Sequence, residues 1–81
     1  MPTVVLVAKV GTGAAAVLRA LRARGIPSEA YHEEAKLGKQ MKYADDKGIP
    51  YVWLPFSDGH QVRDMSSGDQ EAGEAATWNP V

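Results

Sequence analysis

The segment that most restricts the fold is Thr3–Val10, which is rich in β-branched residues and apolar on both of its alternating faces. Strands with this composition are buried on two sides, as they are in parallel sheets. Gly11–Gly13 interrupts the segment, and a helical period follows it. A strand buried on both sides and followed by a helix predicts an α/β domain whose helices cover the sheet.

The next segments continue the alternation of strand and helix. Ala14–Arg24 carries an apolar stripe at helical spacing, with Thr12 as the expected N-cap and Gly25 just beyond the end. Ile26–Tyr31 is predicted to be a second strand, joined to the first by a right-handed parallel crossover. Glu33–Lys47 is predicted to be the second helix, which Gly48 ends.

The remainder of the chain predicts a third strand and a meander. The third strand is expected at Tyr51–Leu54, a turn at Pro55–Gly59, a half-exposed strand at Gln61–Met65 and a last strand at Gln70–Ala72. The order predicts a small mixed sheet of about five strands, three parallel and then an antiparallel meander, with two or three flanking helices. Trp78 is expected to anchor the irregular end of the chain.

Size and composition limit the class of protein. Eighty-one residues make one domain, and the absence of cysteine excludes disulfides and thiolate metal sites. The chain contains nine basic and ten acidic residues, and this near-neutral balance argues against tight binding of nucleic acid by bulk charge alone. The longest apolar run, Val4–Ala8, is too short for a bilayer, and no signal peptide precedes it. We therefore expect a soluble cytoplasmic domain without membrane association.

The glycine turn allows one alternative function. Gly11–Ala16 fits G-x-G-x-x-[GA] between a strand and a helix, with Glu29 and Glu33 at a suitable distance beyond it. This context is required of a dinucleotide-binding turn, and it would make the chain a small nucleotide- or phosphate-binding α/β domain. However, the chain supplies fewer βαβ units than such a domain needs. An ordinary turn followed by a capped helix is the favoured interpretation.

The second helix carries three lysines at a spacing of three residues, Lys36, Lys39 and Lys42. They can share one face opposite the apolar stripe, and ammonium groups in a row suit a phosphate backbone. The same pattern is typical of a solvated helix face whose charge nearby carboxylates balance. From periodicity alone, the solvated face is favoured.

The sequence of this helix resembles a known family. Ala35–Val52 looks like the K-[LI]-G-K-[QK]-[LM]-K-Y-A-[DN]-x-x-G-[IA]-x-[YF]-[VA] stretch of histidyl-tRNA synthetases, and Gln61–Gln70 is similar to their V-[TK]-[VL]-[RK]-[DN]-[LM]-x-[TS]-G-[ED]-Q hairpin. Ala75–Pro80 resembles the carboxyl termini of the actinobacterial enzymes. The resemblance is therefore to the C-terminal anticodon-binding domain of class II aminoacyl-tRNA synthetases, most closely the histidyl enzymes.

The resemblance implies both a fold and a function. Residues 1–81 would be a single anticodon-binding domain, a fragment of a larger histidine–tRNA ligase that acts in protein biosynthesis. The domain would recognise the anticodon stem-loop of tRNA-His and position it for ATP-dependent histidylation elsewhere in the parent enzyme. The chain lacks the class II catalytic motifs, so it is expected to catalyse nothing. It is expected to bind no cofactor, ATP and Mg²⁺ belonging to the parent's catalytic domain, and the parent would be a homodimer.

The resemblance also implies which residues contact tRNA. Glu34 and Lys36 fall where the family meets the bases, and Lys39 and Lys42 follow where phosphate contact is plausible. Arg63 occupies a meander position suited to bidentate reading of guanine. The residues alone allow another role for Arg63, as a cross-strand partner of Asp69 or Glu71. The resemblance thus implies a tRNA-binding set of Glu34, Lys36, Lys39, Lys42, Asp58 and Arg63.

The sequence departs from the family pattern between the third and fourth strands. A longer acidic connection is shortened here to Pro55–His60, where Asp58 is the residue that could replace the missing carboxylate. This shortening leaves open a regulatory or protein-interaction module that has kept the fold and lost tRNA reading. Two further side chains have structural interpretations: Trp53 is expected in the core, and His60 is expected to be solvated rather than catalytic.

Overall fold

The computed structural model describes residues 3–9, 13–33, 36–56 and 58–80. Within these ranges the chain forms five strands and two helices. Their bounds, in chain order, are β1 Val5–Val7, α1 Ala14–Ala23, β2 Ser28–Ala30, α2 Leu37–Lys47, β3 Tyr51–Phe56, β4 Gly59–Asp64 and β5 Gln70–Ala72.

The strands form one mixed sheet in the order β2-β1-β3-β4-β5. β1 lies parallel to both β2 and β3, whereas β3, β4 and β5 form an antiparallel meander. This arrangement confirms the predicted fold class. β1 lies inside the sheet and is buried on both faces, which accounts for its apolar residues on alternate sides.

The two helices cover opposite faces of the sheet. Val5 and Val7 of β1 pack in one core cluster with α1, whereas Leu6, between them, packs in a second cluster with α2. The alternation continues through β3, where Trp53 joins the α1 cluster and Val52 the α2 cluster. We call these two sides of the sheet the α1 face and the α2 face.

The second helix begins later than predicted from the sequence. α2 begins at Leu37 with Lys36 as its N-cap, so the predicted helical start at Glu33 is wrong. The residues that α2 packs against the sheet begin at Leu37, and Tyr31 is already held in the same cluster. The chain therefore uses residues 32 and 33 to turn from β2 into the helix, because no apolar side chain there gains from helical packing. At α1 the N-cap is Gly13 rather than Thr12, which lies outside the described residues.

The turn predicted at Pro55–Gly59 is also wrong, because β3 continues through Pro55 to Phe56 and β4 starts at Gly59. Phe56 pairs with Gly59, so the strands are joined by a two-residue connection. Tyr51 N donates a hydrogen bond to Val4 O, and Trp53 O accepts one from Ala8 N, so these groups of β3 point toward the β1 side. By the alternation along a strand, the Pro55 nitrogen points to the same side. The pairing of β1 ends at Val7, so a proline costs no ladder hydrogen bond at this position.

The end of the chain closes the α1 face. The Trp78 ring stands edge-on to Trp53 and Tyr51, with ring centroids 5.6 and 5.1 Å away. The Arg24 guanidinium donates to the carbonyl oxygens of Ala75 and Trp78 at 2.8 and 2.6 Å. The anchoring predicted for Trp78 is confirmed, and Trp53 is fully buried as expected.

His60 has a structural contact that the sequence did not indicate. The Trp53 indole Nε1 donates to His60 Nδ1 at 3.1 Å, and the His60 side chain is half-buried. The predicted solvated ring is therefore wrong. A buried indole N–H requires an acceptor, and the hairpin supplies one in the facing strand.

Candidate nucleic-acid interface

The α2 face is covered over only part of the sheet. Ala44 of α2 packs in the cluster that holds Leu6 of β1 and Val52 of β3. The Tyr43 hydroxyl donates to Glu29 Oε1 of β2 at 3.3 Å, which places the other side of the helix over that edge strand. Beyond β3, the α2 face of the meander consists of Gln61, Arg63, Gln70 and Ala72, a surface that we call the open strip.

The open strip is set by the register of the hairpins. Arg63 pairs with Val52 on one side and Gln70 on the other, so all three side chains project from the α2 face. Gln70 is exposed, and its amide donates to the Gln61 side chain. The backbone of these strands is paired within the sheet, so the amide and guanidinium side chains of the open strip are the hydrogen-bonding groups offered to a partner.

Arg63 lies in the middle of this strip without an ion pair to any carboxylate of the described residues. The alternative partnership with Asp69 or Glu71 is not formed. Glu71 pairs with Val62 and therefore projects from the α1 face, away from the guanidinium. Arg63 Nη2 lies 3.9 Å from the position that a Cβ on Gly68 would occupy, so the guanidinium extends toward the β4–β5 turn. Its fork of donors is available for bidentate contact.

The amino end of α2 presents positive charge. Lys36 is the N-cap, and within the described residues no side chain caps the helix. The first two backbone N–H groups of the helix, those of Leu37 and Gly38, have no acceptor in a preceding helical turn. The first turn contains no acidic residue among those described. Gly38 adds no side chain here, and no heavy atom lies within 4 Å of the Cβ it lacks. Helix dipole and lysine charge therefore act together on an uncovered turn.

The other two lysines of the predicted set make only surface ion pairs. Lys39 Nζ lies 3.3 Å from Glu33 Oε1, and Lys42 Nζ lies 3.1 Å from Asp46 Oδ2. The lysine side chains are 64% and 75% exposed, and pairs of this kind contribute about 0–1 kcal/mol. Both ammonium groups can therefore exchange their partner for a phosphate at little cost.

Two buried contacts fix α2 in place. Gln40 is fully buried, accepts a hydrogen bond from the Lys9 backbone N–H at 2.6 Å and donates to the Lys9 carbonyl at 3.3 Å. The second contact is the hydrogen bond that the Tyr43 hydroxyl donates to Glu29 Oε1; burial, followed by the Glu29 carboxylate, raises the pKa of Tyr43. The role of Gln40 was missed in the sequence. The one sequence feature that could have indicated its burial is its position between Leu37 and Ala44 on the inner stripe of the helix.

The structure brings part of the predicted tRNA-binding set to one side of the sheet. Lys36, Lys39 and Lys42 lie on α2, and Arg63 lies on the open strip of the same face. Asp58 is exposed in the short connection at the end of the β3–β4 hairpin. Glu34 lies outside the described residues.

A family model described as "Anticodon binding domain" matches residues 3–54, which include β1, both helices and most of β3. The chain belongs to the anticodon binding domain family. It is 46% identical over 71 residues to a histidine–tRNA ligase of Thermobifida fusca, and 46% identical over 70 residues to that of Cutibacterium acnes. These matches cover 84% and 79% of this chain but only 16% and 15% of the two relatives.

Solved structures agree with this assignment. The histidyl-tRNA synthetase of Nostoc sp. PCC 7120 superposes with a TM-score of 0.82 at 26% identity, over 94% of this chain and 20% of that one. The RNA binding domain of Cryptosporidium parvum threonyl-tRNA synthetase has the same fold, with a TM-score of 0.76 at 18% identity over 86% of this chain and 20% of that one. The resemblance drawn from the α2 and hairpin motifs is confirmed, and the nucleotide-binding alternative is not favoured. Gly11 and Thr12 of the glycine turn lie outside the described residues.

Neither helix in the described part of the chain is both long and apolar enough to cross a membrane.

Proposed function

We propose that this chain binds the anticodon stem-loop of tRNA, and specifically of tRNA-His, as the anticodon-binding part of a histidine–tRNA ligase. The observation that carries the proposal is the position of Arg63. It is unpaired among the described residues and lies on an open strip on the same face as the lysine-bearing helix. Membership of the anticodon binding domain family supports tRNA as the ligand of that surface.

The chemistry of the surface fits a splayed RNA loop. Proteins read RNA mainly at unstacked loop bases, through their exposed edges and by stacking. The Arg63 guanidinium suits the O6 and N7 acceptors of a guanine, and the carboxylates of Glu34 and Asp58 suit amino donors on bases. Lys36 reaches the bases near the amino end of α2, and Lys39 and Lys42 contact the phosphates that follow.

The near-neutral charge of the chain limits the affinity. With nine basic and ten acidic residues, attraction comes from the local arrangement of a few cations rather than from the whole protein. Binding should therefore be modest and depend on salt according to the few phosphates contacted. A modest anchor is sufficient if the parent enzyme holds the rest of the tRNA.

The wider role that we propose belongs to the parent protein. Its catalytic domain would bind ATP and Mg²⁺ and attach histidine, while this domain holds the anticodon. A homodimeric, cytoplasmic parent is part of the same proposal. The relatives named above are histidine–tRNA ligases, and this chain spans less than a fifth of their length.

Fluorescence anisotropy with a labelled anticodon stem-loop of tRNA-His tests the proposal. We expect saturable binding at low salt that weakens as salt rises. A stem-loop with the same stem and a substituted anticodon should bind roughly 5- to 150-fold more weakly, since a lost bidentate base contact costs about 1–3 kcal/mol. Equal binding of the two stem-loops, or none at low salt, would argue against anticodon recognition.

A further inference from the structure

We propose that the imidazole ring of His32 is a stacking surface for an unpaired base of the bound RNA. This inference rests on the proposed function and adds a residue outside the predicted tRNA-binding set. His32 follows β2 by two residues and lies in the bend that leads into α2.

The ring is supported from one side and open to solvent. The centroids of the His32 and Tyr31 rings are 4.5 Å apart, with the planes tilted by 34°. Tyr31 is only 4% exposed, whereas the His32 side chain is 65% exposed. A flat exposed ring resting on a buried one leaves aromatic surface available for a further ring.

The support beneath the ring is rigid. Tyr31 donates its backbone N–H to the Val7 carbonyl at 3.1 Å, and its ring meets Tyr43 edge-on at 5.3 Å. Tyr43 is itself tied to Glu29 by a hydrogen bond. The Tyr31 ring beneath His32 is therefore held by β1 and α2, so little freedom of this support remains to be lost when a base arrives.

The edge of the His32 ring is also oriented. His32 Nε2 lies 3.6 Å from Glu33 Oε1, and the same carboxylate oxygen lies 3.3 Å from Lys39 Nζ. The contact uses the edge of the imidazole, and the side chain remains 65% exposed. It also brings an ammonium group of the predicted phosphate-binding set beside the ring.

This combination is what single-stranded RNA requires. Proteins that hold unpaired nucleotides combine aromatic rings, on which bases stack, with cations that follow the backbone. His32 supplies the ring, and Lys39 and Lys36, both at the amino end of α2, supply the positive charge. Every base has an aromatic face, so the ligand is an unpaired nucleobase, and its identity would be read by the edge contacts elsewhere.

A purely structural role for His32 makes a different prediction. If the ring only shields Tyr31 from water, its removal lowers stability and leaves RNA affinity unchanged. A leucine at this position would shield Tyr31 without offering an aromatic face, whereas tyrosine would do both. The pair His32→Leu and His32→Tyr therefore separates stacking from shielding.

The experiment uses anticodon stem-loops that carry 2-aminopurine at one loop position at a time, titrated with the wild-type chain and with His32→Ala, His32→Leu and His32→Tyr. Stacking on a ring quenches the probe. For at least one loop position we expect quenching by the wild type and by His32→Tyr, and its loss in the Ala and Leu variants. Those two variants should bind about tenfold more weakly, within the range typical of removing one stacking partner.

Arg19→Ala, on the exposed side of α1, is the matched control and should behave as the wild type. Equal affinity and quenching for the Leu and Tyr variants would overturn the stacking role while leaving tRNA binding intact. Absence of stem-loop binding by the wild type would overturn the proposed function and the stacking role together. If His32→Ala does not fold, the comparison of Leu with Tyr still decides.

Discussion

The two faces of the sheet differ in how completely they are covered. On the α1 face, the helix and the Trp78 segment close over Trp53 and Val62, which are 0% and 3% exposed. On the α2 face, the next residue along β4, Arg63, lies beyond the helix on the open strip. One strand thus contributes to the core with one side chain and to the open strip with the next. Stability and recognition can therefore be changed separately in this domain.

The largest expected effect is on the closed face. Trp53→Ala removes a fully buried indole and should lower the free energy of unfolding by about 3–5 kcal/mol, as removal of a large core side chain does. Urea denaturation followed by circular dichroism measures the loss. A change below about 1 kcal/mol would mean that the α1 face is not the main core.

On the open strip the effect should fall on binding. Arg63→Ala should weaken binding of the anticodon stem-loop by about 1–3 kcal/mol, the cost of a lost bidentate base contact. Its unfolding free energy should change by no more than about 0.5 kcal/mol, since no ion pair within the described residues is lost.

The matched control at this position is Arg63→Lys, which keeps the charge but not the planar fork. If the lysine variant binds as tightly as the wild type, the guanidinium acts as a simple charge and reads no base.

A smaller effect is expected at Gly38, which nothing in the fold requires to be glycine. No heavy atom is near its absent Cβ, and its φ is not positive. Gly38→Ala should raise the unfolding free energy by up to about 1 kcal/mol, because alanine is the better helix former.

The same methyl group occupies the uncovered first turn of α2, so the stabilised variant should bind the stem-loop more weakly. Urea denaturation and fluorescence anisotropy on the same sample would show the higher unfolding free energy together with the lower RNA affinity. Unchanged RNA affinity would place the RNA away from this turn.

The smallest effect concerns Asp64 at the β4–β5 turn. The Ser66 hydroxyl donates to Asp64 Oδ1 at 2.7 Å, and this bond, followed by the Ser66 backbone N–H, lowers the pKa of the carboxyl from 3.8. A carboxyl with a lowered folded-state pKa stabilises the fold above its unfolded pKa, and the contribution is lost as the pH falls through the folded value.

Ser66→Ala should therefore raise the pKa of Asp64 and slightly destabilise the domain at neutral pH, with the difference disappearing once the pH is below the folded-state pKa of the wild-type carboxyl. NMR titration of the Asp64 carboxyl measures the shift directly. An unaltered pKa in the variant would show that the hydroxyl does not stabilise the carboxylate.

The sequence predicted the order of the elements because each has its own signal. The two-sided apolar pattern of Thr3–Val10 gave β1, and Gly48 ends α2 in a left-handed conformation as its position suggested. Boundaries were less predictable. The second helix was predicted to begin at Glu33, yet helices form where apolar side chains gain from packing, and that begins at Leu37.

The candidate site was only partly predictable. The lysines of α2 follow a visible spacing, but periodicity alone favoured a solvated face, and the resemblance to synthetases supplied the RNA partner. Which residues share the open strip depends on hairpin register, and the continuation of β3 through Pro55 set that register. Gln40 and His32 act through contacts with Lys9 and Tyr31, which depend on how distant strands and the helix pack.

If the proposed function is correct, RNA binds the α2 face and leaves the α1 face untouched. Chemical-shift mapping of the ¹⁵N-labelled chain with the anticodon stem-loop of tRNA-His at low salt tests it most directly. We expect perturbations at residues 36–42, at Arg63 and at Gln70, with Val62, Trp78 and the exposed side of α1 unchanged. Perturbations confined to the α1 face, or none at Lys36, Lys39 and Arg63, would contradict it.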